Sequence, residues 1–212
     1  MATVYPAPRI VLADITANNI GTVKCLTKAL CPGLAEGISK TSFYEDIMKL
    51  EQNNYCKLAL YNDIPAGIIC CRLDNLSSDS PTLYVSLFGV LASYRRQGIA
   101  SLLLSHVLKL ASSPPAPAKA AAYSSRASAA AKAKQHAKSK DNSANAKLAK
   151  VPRPKTVELH VQQDDNDFVA FLDKKQFQKG DLIKQHFKTL DPPQDAYLMS
   201  KTVEPELYSE KI

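Results

Sequence analysis

The hexapeptide Arg95-Arg96-Gln97-Gly98-Ile99-Ala100 is the stretch of this sequence whose residue types and spacing most directly imply chemistry. It follows one long apolar run, Thr82 to Leu91, and opens another, Ile99 to Leu110. A strand that turns straight into a helix leaves the first helical amides without internal partners and with partial positive charge. A pyrophosphate can accept hydrogen bonds from several such amides at once. Gly98 lets phosphates approach the backbone closely, Ala100 keeps the first turn small, and Arg95 and Arg96 add positive charge. The R-x-x-G-x-A spacing is not a P-loop, because no Lys-Ser/Thr follows the glycine. Nor is it a dinucleotide fingerprint, because the glycine triplet is missing. The plainer alternative is a strand-to-helix turn with solvated arginines; the strand before it and the apolar helix after it favour an anion site.

The elements that must position this loop are read from periodicity. Arg9 to Ala13 reads as a first strand, and Thr16 as the cap of a helix over about 17–30 with Ile20, Val23, Leu26 and Leu30 on one face. Cys31-Pro32-Gly33 stops that helix, Pro for want of a donor and Gly by tolerating left-handed angles. A second helix begins near Ser42, with Phe43, Ile47 and Leu50 as its apolar stripe. Tyr55 to Tyr61 and Ala66 to Leu73 read as strands of a hairpin turned at Asn62-Asp63, with Ile64-Pro65 after the turn. Residues 74–81 are turn-rich. Thr156 to Val161 is a strand, a helix follows over about 166–175, Phe177 starts another strand, and Tyr197 to Val203 pairs with it. The order β-α-α-β-β-β, loop-helix, insert, β-α-β-β implies an α/β fold: a twisted, largely antiparallel mixed sheet with helices on both faces.

At 212 residues the chain suits one globular domain with extra segments. Its net charge of +7 is concentrated between Ser112 and Pro154, where nine basic residues meet one acid, Asp141, so the rest is close to neutral. That Ala-, Lys-, Ser- and Pro-rich stretch has almost no large apolar residues. It reads as a basic, mainly disordered insert with a transiently helical portion near 127–140. The expected organisation is 1–111 as the first part of the domain, 112–154 as the insert, 155–204 as the second part and 205–212 as a tail. The five cysteines show no CxxC or metal-ligand spacing, so no metal is expected, and the thiols suggest a reducing compartment. Residues 1–8 are not expected to be a signal peptide, and no stretch approaches the ~18–20 apolar residues of a membrane span.

With the loop and its flanking elements in hand, the sequence resembles the GNAT (acyl-CoA N-acyltransferase) superfamily, whose acetyl-CoA motif is R-x-x-G-x-A after a strand. Within it, the sequence is similar to the N-alpha-acetyltransferase 50, or San, type, the catalytic subunit of N-terminal acetyltransferase E. The segments that carry the similarity are Arg9 to Ile20, Phe43-Tyr44, Leu58 to Leu73, Leu83 to Leu108 and Leu159-His160-Val161-Gln162. The runs Tyr61-Asn62-Asp63-Ile64, Cys70-Cys71-Arg72 and Tyr94-Arg95-Arg96 are the most specific. The resemblance implies acetyl-CoA as co-substrate, held by Phe88, Gly89, Val90, Arg95, Arg96, Gln97, Gly98, Ile99, Ala100, Ser101 and Asn166. It implies Tyr84 and His160 as the residues acting on the substrate amine, partly through ordered water. It implies that a peptide N-terminus, mostly one beginning with Met, lies against Cys31, Pro32, Gly33, Ser86, His186 and Phe187.

Chemistry of the amine agrees with that reading. An α-amine has a pKa near ~7.7–8, so roughly a tenth is neutral at pH 7, and a histidine base suffices to collect its proton. A lysine amine near ~10.4 costs about 3.4 kcal/mol more to deprotonate, which favours peptide N-termini. Taken without the family, a lone Tyr and a lone His on strands read as packing residues; His106 reads as packing or surface, and His136 as solvated.

The sequence also departs from the family on the substrate side. Cys31-Pro32-Gly33 stands where the family has Phe-Pro-Val, His186-Phe187 where it has Tyr-Tyr, and Leu172 where it has a Tyr assigned to the leaving thiolate. Asp165 stands where the family has Asn, with Asn166 one step late. Two functions fit this pattern: an active N-terminal acetyltransferase, or a catalytically weak subunit kept for assembly. The resemblance implies association with the auxiliary and catalytic subunits of the N-terminal acetyltransferase A (NatA) complex at the ribosome, in the cytoplasm with an extension to the nucleus, and no membrane partner. A small-amine or lysine acetyltransferase is a further alternative. For the insert, a solubilising linker and a phosphate-binding tether for ribosomal RNA stay open.

Overall fold

The computed structural model describes residues 8–33, 42–48, 54–75, 80–112 and 153–204. In chain order the elements are β1 (Ile10–Asp14), α1 (Ile20–Leu30), α2 (Phe43–Asp46), β2 (Lys57–Tyr61), β3 (Ile64–Asp74) and β4 (Thr82–Val90). A 3-10 turn at Ala92–Tyr94 leads to α3 (Ile99–Ser112), followed by β5 (Thr156–Gln162), α4 (Asn166–Lys174), β6 (Gln178–Phe187) and β7 (Gln194–Thr202). The described strands form one sheet in the order β1-β2-β3-β4-β5-β7-β6. All described pairings are antiparallel except that of β4 with β5. The expected α/β fold with helices on both faces is the one observed.

The alternation of buried residues shows which helices cover which face. Ile69, Cys71, Leu83, Val85, Val157, Leu159 and Val161 share a core with Ile99, Leu103, Leu104 and Val107 of α3 and Leu172 of α4. Leu58, Ile68, Cys70 and Leu87 share the opposite core with Val23 and Leu26 of α1 and with Ile47. Neighbouring strand residues such as Ile68 and Ile69 thus serve opposite layers, as a period of two requires.

Local chemistry decided several boundaries differently from the periodic reading. Thr16 does not cap α1: Asn19 holds the cap position, and its Oδ1 accepts from the amide of Thr16 at 2.8 Å while its Nδ2 donates to the carbonyl of Asp14. The side chain of Asn19 therefore ties β1 to the start of α1. Gly33 does not end α1 through a left-handed angle; among the described glycines only Gly98 has positive φ. The helix expected from Ser42 is a single turn among the described residues, and Leu50 lies outside them. The β2–β3 hairpin turns on Asn62 and Asp63, whose φ of 47° and 65° match a two-residue primed turn. The strand after it begins at Ile64 and includes Pro65. Ser112 closes α3, Arg153 is exposed and Pro154 is buried beside β5; residues 113–152 with His136, and the tail 205–212, lie outside the described residues.

One irregularity sets up the site. In the β3–β4 ladder Cys70 faces Leu87 but Cys71 faces Val85, so Ser86 is an extra residue on β4. Such a bulge bends its strand and flips the sidedness of the residues beyond it. Before it, Leu83 and Val85 enter the α3–α4 layer; after it, Leu87 enters the α1 layer and Phe88 and Val90 enter the other. The neighbouring ladder responds. β4 pairs with β5 only through Thr82–Thr156, Leu83–Val157 and Tyr84–Glu158, although β4 runs to Val90 and β5 to Gln162. The two strands part at the bulge, leaving a wedge about 13 Å long between Ser86 and Val90 at ~3.3 Å per residue.

The α3 layer holds this wedge from below. Leu104 is fully buried there. Leu104→Ala is expected to cost about 2–5 kcal/mol, read as a lower urea midpoint with an unchanged slope.

Candidate active site

The wedge has two chemically different ends. At the first, β4 runs through the 3-10 turn into α3, and the loop between them alternates left-handed residues: Arg96 at φ 64° and Gly98 at φ 83°. Such alternation makes concave amide pockets for anions. A Cβ built on Gly98 meets no atom within 4 Å, so the loop faces open space there and the glycine is required by its angle. The carbonyl of Gly98 accepts from the amide of Leu102 at 3.0 Å, which leaves the amides of the first turn, at Ile99 to Ser101, outside the helical ladder. Arg95 Nε donates to the carbonyl of Val90 at 3.2 Å, pinning that guanidinium at the strand end, while Arg96 and Gln97 are exposed. Ile99 is buried and anchors the helix start in the core.

At the other end, Tyr84 and His160 lie on the face opposite Leu83 and Leu159 and meet directly. Tyr84 Oη is 2.9 Å from His160 Nδ1, so one proton is shared between phenol and imidazole. The parallel register accounts for this meeting: Tyr84 sits beside Glu158, and His160 is two residues on, on the same side. Three further residues complete the cluster. Arg72, opposite Tyr84 on β3, lays its guanidinium carbon 4.6 Å from the Tyr84 ring centre. His186 stacks on His160 with ring centres 3.9 Å apart and planes 15° apart, and Phe187 stands edge-on to His186 at 5.0 Å.

These neighbours keep the pair uncharged. Burial, then the nearby His186 and Arg72, push the imidazolium of His160 down to about 4. Burial raises the phenol of Tyr84 above its usual value, partly opposed by Arg72. At neutral pH the site therefore offers a neutral imidazole hydrogen-bonded to a neutral phenol. Burial also raises the thiol of Cys31.

The substrate-side residues converge as well. Leu30, at the end of α1, sits over Gly89, where a built Cβ would lie 3.1 Å from Leu30 Cδ1. The chain then runs through Cys31, Pro32 and Gly33, and a Cβ on Gly33 would lie 2.3 Å from Leu190 Cδ2 in the β6–β7 connection. The end of the Leu190 side chain thus lies close to Gly33, so the last hairpin and this loop are neighbours. Ser86 is the half-buried bulge residue at the mouth of the wedge.

Other expected residues sit differently. The ring of Phe88 points into an aromatic cluster with Phe168 and Phe171 of α4, at 5.4 and 6.2 Å, so only its backbone can face the wedge. Asn166 is the exposed first residue of α4, capped by Asp165, whose Oδ1 accepts from the amide of Phe168. Leu172 is fully buried in the core. His106 is half-buried, with Nε2 3.2 Å from the carbonyl of Asn54. Arg72, Glu158 and Leu190 were not anticipated; their roles depend on strand register and on a hairpin connection, which leave no local signal.

The acetyltransferase (GNAT) family profile matches residues 13–133. The chain belongs to this family. It is an acetyl-CoA-dependent N-acetyltransferase. Probable N-acetyltransferase san of Drosophila melanogaster is 29% identical over 195 residues, 92% of this chain and 81% of that protein. N-alpha-acetyltransferase 50 of Danio rerio is 29% identical over 196 residues, covering 92% and 89%. Arabidopsis thaliana Naa50, solved in complex with the bisubstrate analogue CoA-Ac-MVNAL, superposes with a TM-score of 0.63 at 27% identity, covering 91% of this chain and 98% of that one. Arabidopsis thaliana NAA60 with acetyl-CoA, at 14% identity and a TM-score of 0.58, shares the fold.

The residues present fit acetyl-CoA. The open amide loop at Arg96 to Ser101 suits a diphosphate, and the wedge beyond Ser86 presents unpaired strand edges to an extended amide-bearing arm. Among the described residues no three metal-ligating side chains come together. Gly98→Ala forces a Cβ into the left-handed region with no clash, costing about 1–2 kcal/mol. Its expected signature is a dissociation constant for acetyl-CoA raised tenfold or more by calorimetry, with the fold retained by circular dichroism.

Proposed function

We propose that this chain transfers the acetyl group of acetyl-CoA to the α-amine of peptides, with Met-starting N-termini as the preferred class. The observation that carries the reading is the 2.9 Å contact between Tyr84 and His160 where the wedge opens, with both groups uncharged at neutral pH. The names of the san and N-alpha-acetyltransferase 50 relatives support it, as does the analogue MVNAL, whose first residue is methionine.

When bound, acetyl-CoA supplies a thioester open to attack by a neutral amine. The protein's own residues then do three things. The bulge at Ser86 and the loop at Cys31 to Gly33 orient the incoming peptide end. An uncharged His160 repels no ammonium, so the amine can enter and shed its proton. As the attacking nitrogen gains positive character its N–H becomes strongly acidic, and the His160–Tyr84 pair takes up that proton even though the imidazole is a weak base. No enzyme nucleophile is needed. The Tyr84–His160 contact favours an active enzyme over a subunit kept for assembly alone.

Tyr84→Phe and His160→Ala are each expected to lower kcat/KM for a Met-starting peptide about a hundredfold or more, and the double variant little further, because the two act as a unit. Release of free CoA measures this; a double variant equal to wild type would sink the assignment. The pH profile has a definite sign. Because His160 titrates near 4, the fall in rate below pH 8 should follow protonation of the substrate amine at ~7.7–8 and move with the amine pKa of the peptide used. A limb fixed near 6.5 for every peptide would instead assign it to an ordinary histidine.

We also propose that the chain works beside the auxiliary and catalytic subunits of the NatA complex in the cytoplasm, with the insert 112–154 contacting ribosomal RNA. Eight net positive charges in that segment support the contact. Deleting residues 114–150 should weaken cosedimentation with ribosomes at low salt while leaving peptide turnover intact; unchanged sedimentation leaves the linker role.

A further inference from the structure

The resemblance places aromatic hydroxyls at the positions occupied here by His186 and Phe187 and implies a substrate wall there. The structure puts His186 somewhere more specific. Its ring is not merely near the substrate loop but lies flat on His160, the ring centres 3.9 Å apart and the planes 15° apart. Phe187 closes the outer side of His186 edge-on, at 5.0 Å and 89°. His160 is thus gripped between a hydrogen bond in its own plane, to Tyr84, and a ring on its face. An imidazole bonded through one nitrogen alone can still pivot about that bond; a stacked ring removes that freedom.

Charge gives the stack a second consequence. Two imidazolium rings face to face at this separation repel strongly, so a proton on one ring makes a proton on the other harder to add. The more exposed ring should take the first proton, because it keeps more of its hydration. His186 is the ring on the outer hairpin, and its proton affinity is lowered by burial alone; that of His160 is lowered by burial, by His186 and by Arg72. The other charged groups around the pair are of both signs on each side. On the His160 side these are Arg72 over Tyr84, with Asp74 bonded to Arg72, and Glu158 two residues before His160. On the His186 side they are Asp195, whose Oδ1 accepts from the amide of Gln185 at 2.7 Å, and the flanking Lys184 and Lys188.

We propose that His186 is a positioning residue for His160: the parallel stack fixes the plane of the His160 ring so that Nδ1 meets Tyr84, and a charge on either ring opposes a charge on the other. The proposal rests on the acetyltransferase reading for its purpose but not for its test. His160 remains a neutral hydrogen-bonding partner under mildly acidic conditions in which an isolated histidine would be largely cationic and would repel the ammonium form of a substrate.

Two substitutions separate the stack from the charge. His186→Phe keeps a flat ring and removes the titrating group; His186→Ala removes both. The full-length chain, with four histidines, is followed by imidazole NMR from pH 3 to 8, His160 being assigned by its loss in His160→Ala. In His186→Phe the midpoint of His160 should rise by about one unit or more, the size expected for directly interacting sites. In His186→Ala it should rise at least as far, and the Tyr84-bonded signal should broaden or be lost. Peptide acetylation should give a matching pattern: at pH 6, His186→Phe loses proportionally more kcat than it does at pH 8, whereas His186→Ala loses kcat at both. A His160 midpoint within about 0.3 units of wild type in His186→Phe would overturn the proposal, whatever happens to activity. If no variant and no wild type acetylates a peptide but the midpoint moves as described, the stack stands and the transferase reading falls.

Discussion

Three residues of parallel ladder, Thr82 to Tyr84 against Thr156 to Glu158, join the two halves of the sheet, and the site exists because the ladder goes no further. On one side lie β1 to β4, on the other β5, β7 and β6. Continued pairing would leave no unpaired strand edge and no cleft. The extra residue at Ser86 bends β4 at the point where pairing stops. Buried strand edges without partners are costly in water-free surroundings, so the wedge makes sense as a place that an extended, amide-rich ligand completes. The same bulge lets Tyr84 face the α1 side while Phe88, four residues later, reaches the aromatic cluster under α4.

Electrostatics divides the wedge. Its far end concentrates positive partial charge: the left-handed amides at Arg96 and Gly98, the first turn of α3, and two arginines. Its near end is built to be neutral. Arg72 sits over the ring of Tyr84, and it opposes protonation of His160. One end therefore suits an anion and the other an uncharged pair beside a basic amine. That separation suits a reaction in which the donor carries the phosphates and the acceptor must lose a proton.

The departures from the family on the substrate side are physically connected. The Leu190 side chain of the β6–β7 connection reaches Gly33, so the hairpin lies beside the loop after α1. The hairpin in turn delivers His186 to His160. The loop after α1, the β6–β7 hairpin and the Tyr84–His160 contact thus lie together on one side of the sheet.

The Arg95–Ala100 loop stood out in the sequence because its features are local: a glycine, the open amides of a helix start and adjacent arginines lie within six residues, and a strand and a helix of the right apolar pattern flank them. Strand and helix identities were legible for the same reason, with errors confined to ends where a side chain such as Asn19 competes with the helix for backbone groups. The pairing of Tyr84 with His160 was anticipated only through a family resemblance. What the tertiary structure alone decided was the bulge at Ser86, the end of the β4–β5 ladder, the placement of Arg72 on Tyr84, the approach of Leu190 to Gly33 and the stack of His186 on His160. Each depends on register between strands far apart in the chain, and a shift of one residue would send every one of those side chains to the other face.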